Sequence, residues 1–220
     1  CAYYDLFEKP KIIFPNLQNT KKFCFDSEGV FVNAPAVFLP VESKTLLCVL
    51  NSKIVWEFLK SICVVRSGGY IEVKPQYFEQ IPIPEFKNEA IFELKADKII
   101  ENTSKLQRIQ VAFTNYIVSL FGFDKLSKKL QNWHELDFAD FIKELRKAIK
   151  KSNTPNGSRP IELSKLQEME WMEVFETKKA EAQAIKAEID KTDAEIDAMV
   201  YELYGLTEEE IQIVEESISN

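Results

Sequence analysis

The sequence predicts an α+β protein, with a mixed α/β unit over residues 1–87 and a region of long, antiparallel coiled-coil-like helices over residues 88–220. Two observations predict this. Short apolar runs broken by proline, glycine and asparagine fill the first part and are typical of strands and turns. Beyond Pro84 the apolar residues instead recur at heptad spacing. The change of period therefore places the predicted boundary near Pro84–Lys87.

The elements of the first part follow from their apolar patterns. Strands are predicted at residues 12–14, 23–25, 36–39 and 70–74, as parts of one sheet with mixed or antiparallel pairing. A helix is predicted from about Ser43 to Ile62, with a bend or break at Asn51-Ser52. Pro75 lacks an N–H group and ends the last strand. Pro82 and Pro84 favour an extended, non-helical exit from the unit.

The second part is predicted to be helical. Long helices are expected at about residues 90–121, 137–151 and 164–204. The run from Ser152 to Pro160 is the clearest linker. Thr207 and Glu210 have the spacing of a capping box, which predicts one more helix start after Gly205.

Composition limits the classes of function. The chain has 220 residues and a net charge of −7, and no apolar run approaches the length of a membrane span, so we expect a cytoplasmic protein with no membrane partner. The four cysteines lack Cys-x-x-Cys spacing and His134 is the only histidine, so no metal site is predicted. Because the chain begins with Cys1 rather than Met, we expect a part of a longer protein.

The charge is unevenly distributed. Residues 1–160 carry a net charge of +5, whereas residues 161–220 carry −12. A DNA duplex would therefore be attracted by the first part and repelled by the last.

Two polar clusters could meet on one surface. Residues 66–77 combine basic, amide and aromatic side chains around Gly68-Gly69, where glycine permits a positive φ. Residues 14–22 form a loop with amide groups and two lysines. Amides can bind adenine edges, and lysine can bind guanine or phosphate. An ordinary hairpin with solvated charges is the alternative interpretation.

Several motifs carry a resemblance to a known family. The chain contains Gln76-Tyr77-Phe78-Glu79-Gln80-Ile81-Pro82-Ile83-Pro84 after its Gly-Gly turn, and Leu46-Leu47-Cys48-Val49-Leu50-Asn51-Ser52 upstream. Three further segments follow the same order as the motifs of this family: Lys9–Ile13, Phe25–Phe31 and the region from Glu195 to Leu206. Together they resemble the target-recognition domain of TaqI-like adenine-specific DNA methyltransferases and of type IIG restriction–modification enzymes. The same exit recurs in specificity subunits of type I restriction systems.

The resemblance implies sequence-specific recognition of double-stranded DNA on behalf of an N-terminal methyltransferase or nuclease domain outside this chain. The candidate DNA-binding residues are Asn16, Gln18, Lys21, Lys22, Arg66, Ser67, Gly68, Lys74, Gln76 and Tyr77. We expect Arg66 and Gln76 to read bases, and Lys21 and Lys22 to hold phosphate. No cofactor is expected here, whereas S-adenosylmethionine and Mg are expected for the parent enzyme.

Catalytic motifs are absent from the sequence. It has no Asn-Pro-Pro-aromatic loop for a flipped base, no glycine-rich phosphate loop and no Ser-His-Asp pattern. We therefore expect neither methyltransferase nor nuclease activity from this chain alone. A type I specificity subunit and a coiled-coil scaffold that binds protein remain the alternative functions.

Overall fold

The computed structural model describes residues 4–86, 88–152 and 163–219. The elements of the first part are α1 (Tyr4–Phe7), β1 (Lys11–Pro15), β2 (Leu17–Gln18), β3 (Cys24–Asp26), β4 (Ala36–Leu39), α2 (Lys44–Leu50), α3 (Lys53–Ile62), β5 (Val64–Arg66), β6 (Tyr70–Glu72) and α4 (Pro75–Phe78). The elements of the second part are α5 (Glu89–Phe121), α6 (Lys128–Gln131), a short 3-10 helix (Trp133–Glu135), α7 (Phe138–Ser152), α8 (Lys165–Tyr204) and α9 (Glu208–Ser219). The α+β class predicted from the sequence is confirmed.

The strands form two antiparallel sheets, in the orders β3-β1-β4 and β2-β6-β5. The prediction that residues 70–74 return to the first sheet is wrong, since the first sheet consists of β3, β1 and β4. Instead β6 pairs with β2 and β5. Asn16 joins the two sheets, since its backbone N–H donates to the Pro35 carbonyl and its carbonyl accepts from the Val73 N–H.

The predicted break at Asn51-Ser52 separates α2 from α3. The Ser52 hydroxyl accepts a hydrogen bond from the Val55 N–H and caps α3, as serine does at helix starts. The Asn51 side chain bonds both backbone groups of Phe23, at 3.2 and 2.9 Å, and so ties α2 to the chain entering β3. These local hydrogen bonds explain why one apolar helical pattern becomes two helices.

A short helix, α4, that the sequence analysis did not predict precedes the exit from the first part. Pro75 begins α4, where its fixed φ suits the first helical position and its missing N–H removes no helical bond. Phe78 of α4 stacks on Phe14 at 5.3 Å between ring centroids. Residues 82–86, where Pro82 and Pro84 predict a non-helical exit, have no regular secondary structure.

The chain divides into two compact units, Cys1–Ile99 with Lys191–Asn220 as unit 1 and Ile100–Asp190 as unit 2. The boundaries therefore fall inside α5 and α8, whereas the domain boundary expected from the sequence lay near residue 87. In unit 1 the first turns of α5 meet the last turns of α8, with Lys95 Nζ 2.6 Å from Glu195 Oε2. The predicted linker at Ser152–Pro160 lies outside the described residues except for Ser152, which ends α7.

The core of unit 2 is aromatic. Phe113 packs on Trp133 at 4.1 Å between ring centroids, and Phe141 stacks on Phe175 at 4.6 Å. All four rings are almost fully buried. None of the described helices combines the length and the apolar composition needed to cross a membrane.

Candidate nucleic-acid interface

The β5–β6 hairpin has the tight turn that its two glycines predict. Gly68 and Gly69 have φ of +77° and +75°, a left-handed conformation that costs glycine little and other residues more. Arg66 and Tyr70 are opposite each other across this turn. Ser67 and both glycines are exposed, so the turn projects into solvent.

The second sheet has an open side and a side that is buried along β2 and β6, although Val65 of β5, on that second side, is 66% exposed. Gln18 and Ile71 are cross-strand partners on the inner side, and both are buried. Side chains alternate along each strand, so the neighbouring positions lie on the other side. That outer side, here called the hairpin face, consists of Leu17, Val64, Arg66, Tyr70 and Glu72. Four of its five residues are exposed, and Glu72 is half-buried.

Glu72 organises the charges of this face. The Arg66 Nε donates to Glu72 Oε2 at 2.9 Å, and the Arg66 Nη2 donates to the same oxygen. Lys74 Nζ lies 3.3 Å from Glu72 Oε1. The hydrogen bond from Arg66, followed by that from Lys74, holds the pKa of Glu72 below its usual range. The guanidinium is therefore held in place while about half of the Arg66 side chain remains exposed.

Two further candidate residues follow the hairpin on α4. Gln76 is exposed and keeps its side chain at the surface, while Tyr77 is half-buried. Lys74 precedes them at the N-cap position of α4. The candidate DNA-binding residues from Arg66 to Tyr77 thus belong to the hairpin and to α4, which directly follows it.

The amides of the 14–22 loop lie elsewhere than we expected. Gln18 is fully buried, because the pairing of β2 with β6 turns its side chain to the inner face. Its Oε1 accepts from the Lys22 N–H at 3.1 Å, so it supports the loop from inside. Asn16 is half-buried. The expectation that both amides line the surface with Arg66 is therefore corrected for Gln18.

The two lysines of the loop have separate surroundings. Lys21 Nζ lies 3.1 Å from Asp193 Oδ2 and 3.9 Å from Asp197 Oδ2, both on α8. Lys22 is exposed and donates to Asn19 Oδ1 at 3.0 Å. The acidic helix thus competes with any phosphate for Lys21, whereas Lys22 remains accessible.

The sequence analysis missed four members of the hairpin face, Leu17, Val64, Tyr70 and Glu72. The sequence could have indicated Tyr70 and Glu72, because residues two apart on a strand lie on the same side of the sheet and these two flank the buried Ile71. Leu17 had no local signal, since its place depends on pairing with Glu72.

Two family models match this chain, and one of them covers the hairpin face. Residues 2–83 match the TaqI-like C-terminal specificity domain, which contains the whole hairpin face. Residues 85–200 match a second model, described as a domain of unknown function (DUF8810). No curated protein and no solved structure matches the chain.

The first match supports a role in the DNA specificity of restriction–modification systems. The second match spans more than half of the chain. The family resemblance inferred from the motifs is confirmed: residues 2–83 form a TaqI-like specificity domain, and the chain belongs to the DUF8810 domain family.

Proposed function

We propose that this chain reads DNA sequence for a type IIG restriction–modification enzyme and positions the target for a catalytic domain outside the chain. The observation that carries the proposal is the exposed Arg66, held by Glu72 on a β-hairpin within the TaqI-like specificity domain. A two-stranded β-ribbon fits the major groove of B-DNA, where base pairs present distinct hydrogen-bonding patterns.

Each exposed group suits a different DNA contact. The planar guanidinium of Arg66 can donate two hydrogen bonds to O6 and N7 of a guanine. Lys74 is a compact cation on a flexible stem and suits a phosphate. The Tyr70 ring supplies apolar area for contact with a thymine methyl or a sugar. Glu72 keeps the guanidinium in one orientation before binding, which reduces the ordering cost of the contact.

The chemistry of the parent enzyme belongs to its catalytic domain in this proposal. The described residues contain no group of three His, Cys, Asp or Glu side chains placed to hold a metal ion. We assign the Mg and the S-adenosylmethionine expected for the parent enzyme to that external domain. A type I specificity subunit is the alternative, and it would bind separate methyltransferase subunits instead of continuing into a catalytic domain.

The test is selection of duplexes from a random-sequence pool by the whole chain, followed by titration of the enriched sequence. Arg66→Ala should cost about 1–3 kcal/mol on that sequence and relax discrimination at one position. Lys74→Ala should weaken all sequences alike and lower the salt slope by about one. Lys60→Ala is the control, because Lys60 is a surface lysine on α3 that pairs with Glu57.

Two outcomes would contradict the proposal. One is the absence of any enriched sequence in the selection. The other is unchanged cognate affinity after Arg66→Ala, Lys74→Ala and Gln76→Ala, which would favour the scaffold function instead.

A further inference from the structure

A second cationic surface lies in unit 2, outside the TaqI-like specificity domain. Residues 143–151 contain five lysines and arginines and a single acid, Glu144. The buried side of α7 consists of Phe141, Ile142, Leu145 and Ile149. At 3.6 residues per turn, the lysines of this segment point away from that side. They are Lys143, Lys147, Lys150 and Lys151, and all four are exposed.

The loop before α6 adds Lys125 to the same surface, and α6 itself adds Lys129. Lys125, Lys147 and Lys151 line a groove of about 440 Å³ between this loop and the last turns of α7. Glu144 has cations from both segments around it. A 2.7 Å hydrogen bond from Lys147 lowers the pKa of Glu144, and the charges of Lys129 and Lys143 lower it further. We call this surface the basic face; it comprises Lys125, Lys129, Lys143, Lys147, Lys150 and Lys151.

Acids among the described residues balance some of the charge at this surface. Glu144 pairs with Lys147, and Asp124 lines the groove. Arg146 points to a different neighbour, Glu168 of α8, and is not counted in the face. Lysines four residues apart on a helix repel one another. The negative end of the α7 dipole offsets some of this repulsion, but its effect does not reach beyond the last turn.

We propose that the basic face binds the phosphate backbone of double-stranded DNA, independently of base sequence. Lysines act as point charges toward phosphate, whereas base reading is typically the task of arginine and amide groups. From Lys143 to Lys151 the cations extend over about 12 Å of helix, at 1.5 Å per residue. Phe123 also lines the groove, but it is only 7% exposed and offers unpaired bases little area for stacking. The chemistry of the face therefore fits a duplex better than a single strand.

The proposal goes beyond sequence reading by the hairpin face and does not depend on it. The sequence-reading proposal is tested by discrimination between sequences. This one is tested by the affinity for random duplexes and by its dependence on salt. The two can therefore fail separately.

The experiment compares two variants of the whole chain with equal net charge. The test variant is Lys143→Gln, Lys147→Gln and Lys150→Gln, and the control variant is Lys105→Gln, Lys178→Gln and Lys186→Gln. The control lysines also lie on unit 2 helices and are exposed, but each pairs with an acid of its own helix. Binding to a random-sequence duplex is measured by fluorescence anisotropy at several salt concentrations from about 50 to 200 mM, the range over which phosphate binding weakens most visibly. Circular dichroism melts verify folding.

The test variant should bind random duplex more weakly, and the slope of log K against log salt should fall by about 0.9 for each phosphate that the protein no longer neutralises. The control should match the wild type. Equally weakened duplex binding in both variants would show that only the net charge matters, and would overturn the proposal. An unchanged slope of log K against log salt in the test variant would overturn it too.

Poly-glutamate serves as an acidic-polypeptide competitor. If it displaces the duplex from the wild type and from the test variant equally well, the DNA assignment stands. If the test variant keeps its duplex affinity and fails only to bind poly-glutamate, the face serves an acidic protein instead.

Discussion

Asp197 of α8 accepts a 2.8 Å hydrogen bond from the backbone N–H of Lys53, the first residue of α3. The carboxylate is 2% exposed, and its other oxygen lies 3.8 and 3.9 Å from the ammonium groups of Lys53 and Lys21. An anion at a helix N-terminus is stabilised by unpaired N–H groups and by the helix dipole. Within unit 1, the end of α8 is thus held against the helix that follows the Asn51-Ser52 break.

Removal of this carboxylate should destabilise unit 1. We expect Asp197→Ala to cost about 1–3 kcal/mol, because it leaves the Lys53 N–H without its acceptor, whereas Lys53 and Lys21 keep Glu215 and Asp193 as partners. Asp197→Asn keeps an acceptor for the Lys53 N–H and should cost less than Asp197→Ala. Asp190→Ala, at an exposed position of the same helix, should change stability by less than about 1 kcal/mol. Urea unfolding followed by circular dichroism measures all three, and equal effects of Asp197→Ala and Asp190→Ala would contradict the assignment.

Asp26 should make the stability of unit 1 depend on pH in the acid range. Burial alone would raise the pKa of Asp26, but the hydrogen bonds from Lys11 and from the Glu28 and Val30 N–H groups outweigh it and lower the pKa below 3.8. The folded state therefore binds this proton less tightly than the unfolded state does. The resulting stabilisation is present above the unfolded-state pKa and is lost as the pH falls through the folded-state pKa.

The measurement is the destabilisation caused by Asp26→Asn near neutral pH and at a pH of about 3, below the ordinary aspartate pKa. It should be larger near neutral pH, where the wild-type carboxylate is charged in both states. Glu28→Gln, in the exposed turn after β3, should show no such difference. A destabilisation by Asp26→Asn that grows toward acid pH would refute the direction of the shift.

Phe175 should be a major source of stability in unit 2. Its ring is fully buried and stacks on Phe141 at 4.6 Å. Phe175→Ala should cost about 3–5 kcal/mol, because it removes buried apolar area and leaves a cavity. The adjacent Val174 is 44% exposed, so Val174→Ala should cost under about 0.5 kcal/mol. Thermal melts of the two variants compare neighbours on one helix, and similar destabilisation by both would argue against this core.

Glu72→Gln should have opposite effects on two DNA-binding properties. Removal of a negative charge between Arg66 and Lys74 should raise the affinity for random duplex at low salt. Discrimination between sequences should fall, because the Arg66 guanidinium no longer has the carboxylate that orients it. Glu28→Gln, with the same change in net charge, should alter neither property as strongly. The prediction fails if Glu72→Gln lowers random-duplex affinity and discrimination together.

The features predicted from the sequence are those decided by neighbouring residues. Ser52 caps α3 through a hydrogen bond three residues along the chain. Thr207 and Glu210 form the predicted capping box, with the Thr207 N–H donating to Glu210 Oε2 at 2.8 Å. Gly68 and Gly69 adopt positive φ because the side chains that would oppose it are missing. All three depend on local chemistry and are therefore visible without a fold.

The site residues were harder to place because their surroundings come from distant parts of the chain. Gln18 looked like a surface amide, yet the pairing of β2 with β6 turns it inward. Lys21 looked like a phosphate ligand, yet it meets Asp193 far along the sequence. The composition of the loop predicts neither the burial of Gln18 nor the contact of Lys21 with Asp193.

By itself the sequence determined the α+β class, the long helices, the break at Asn51-Ser52 and the glycine turn, since hydrophobic period, capping and backbone freedom act over a few residues. Only the tertiary structure decided that the strands form two sheets and that Leu17 and Glu72 join Arg66 on one face. It also decided that Asp193 and Asp197 meet Lys21. The physical reason is that the pairing of a strand depends on which distant strand reaches its edge, and the burial of a charged side chain depends on which distant residue of opposite charge meets it.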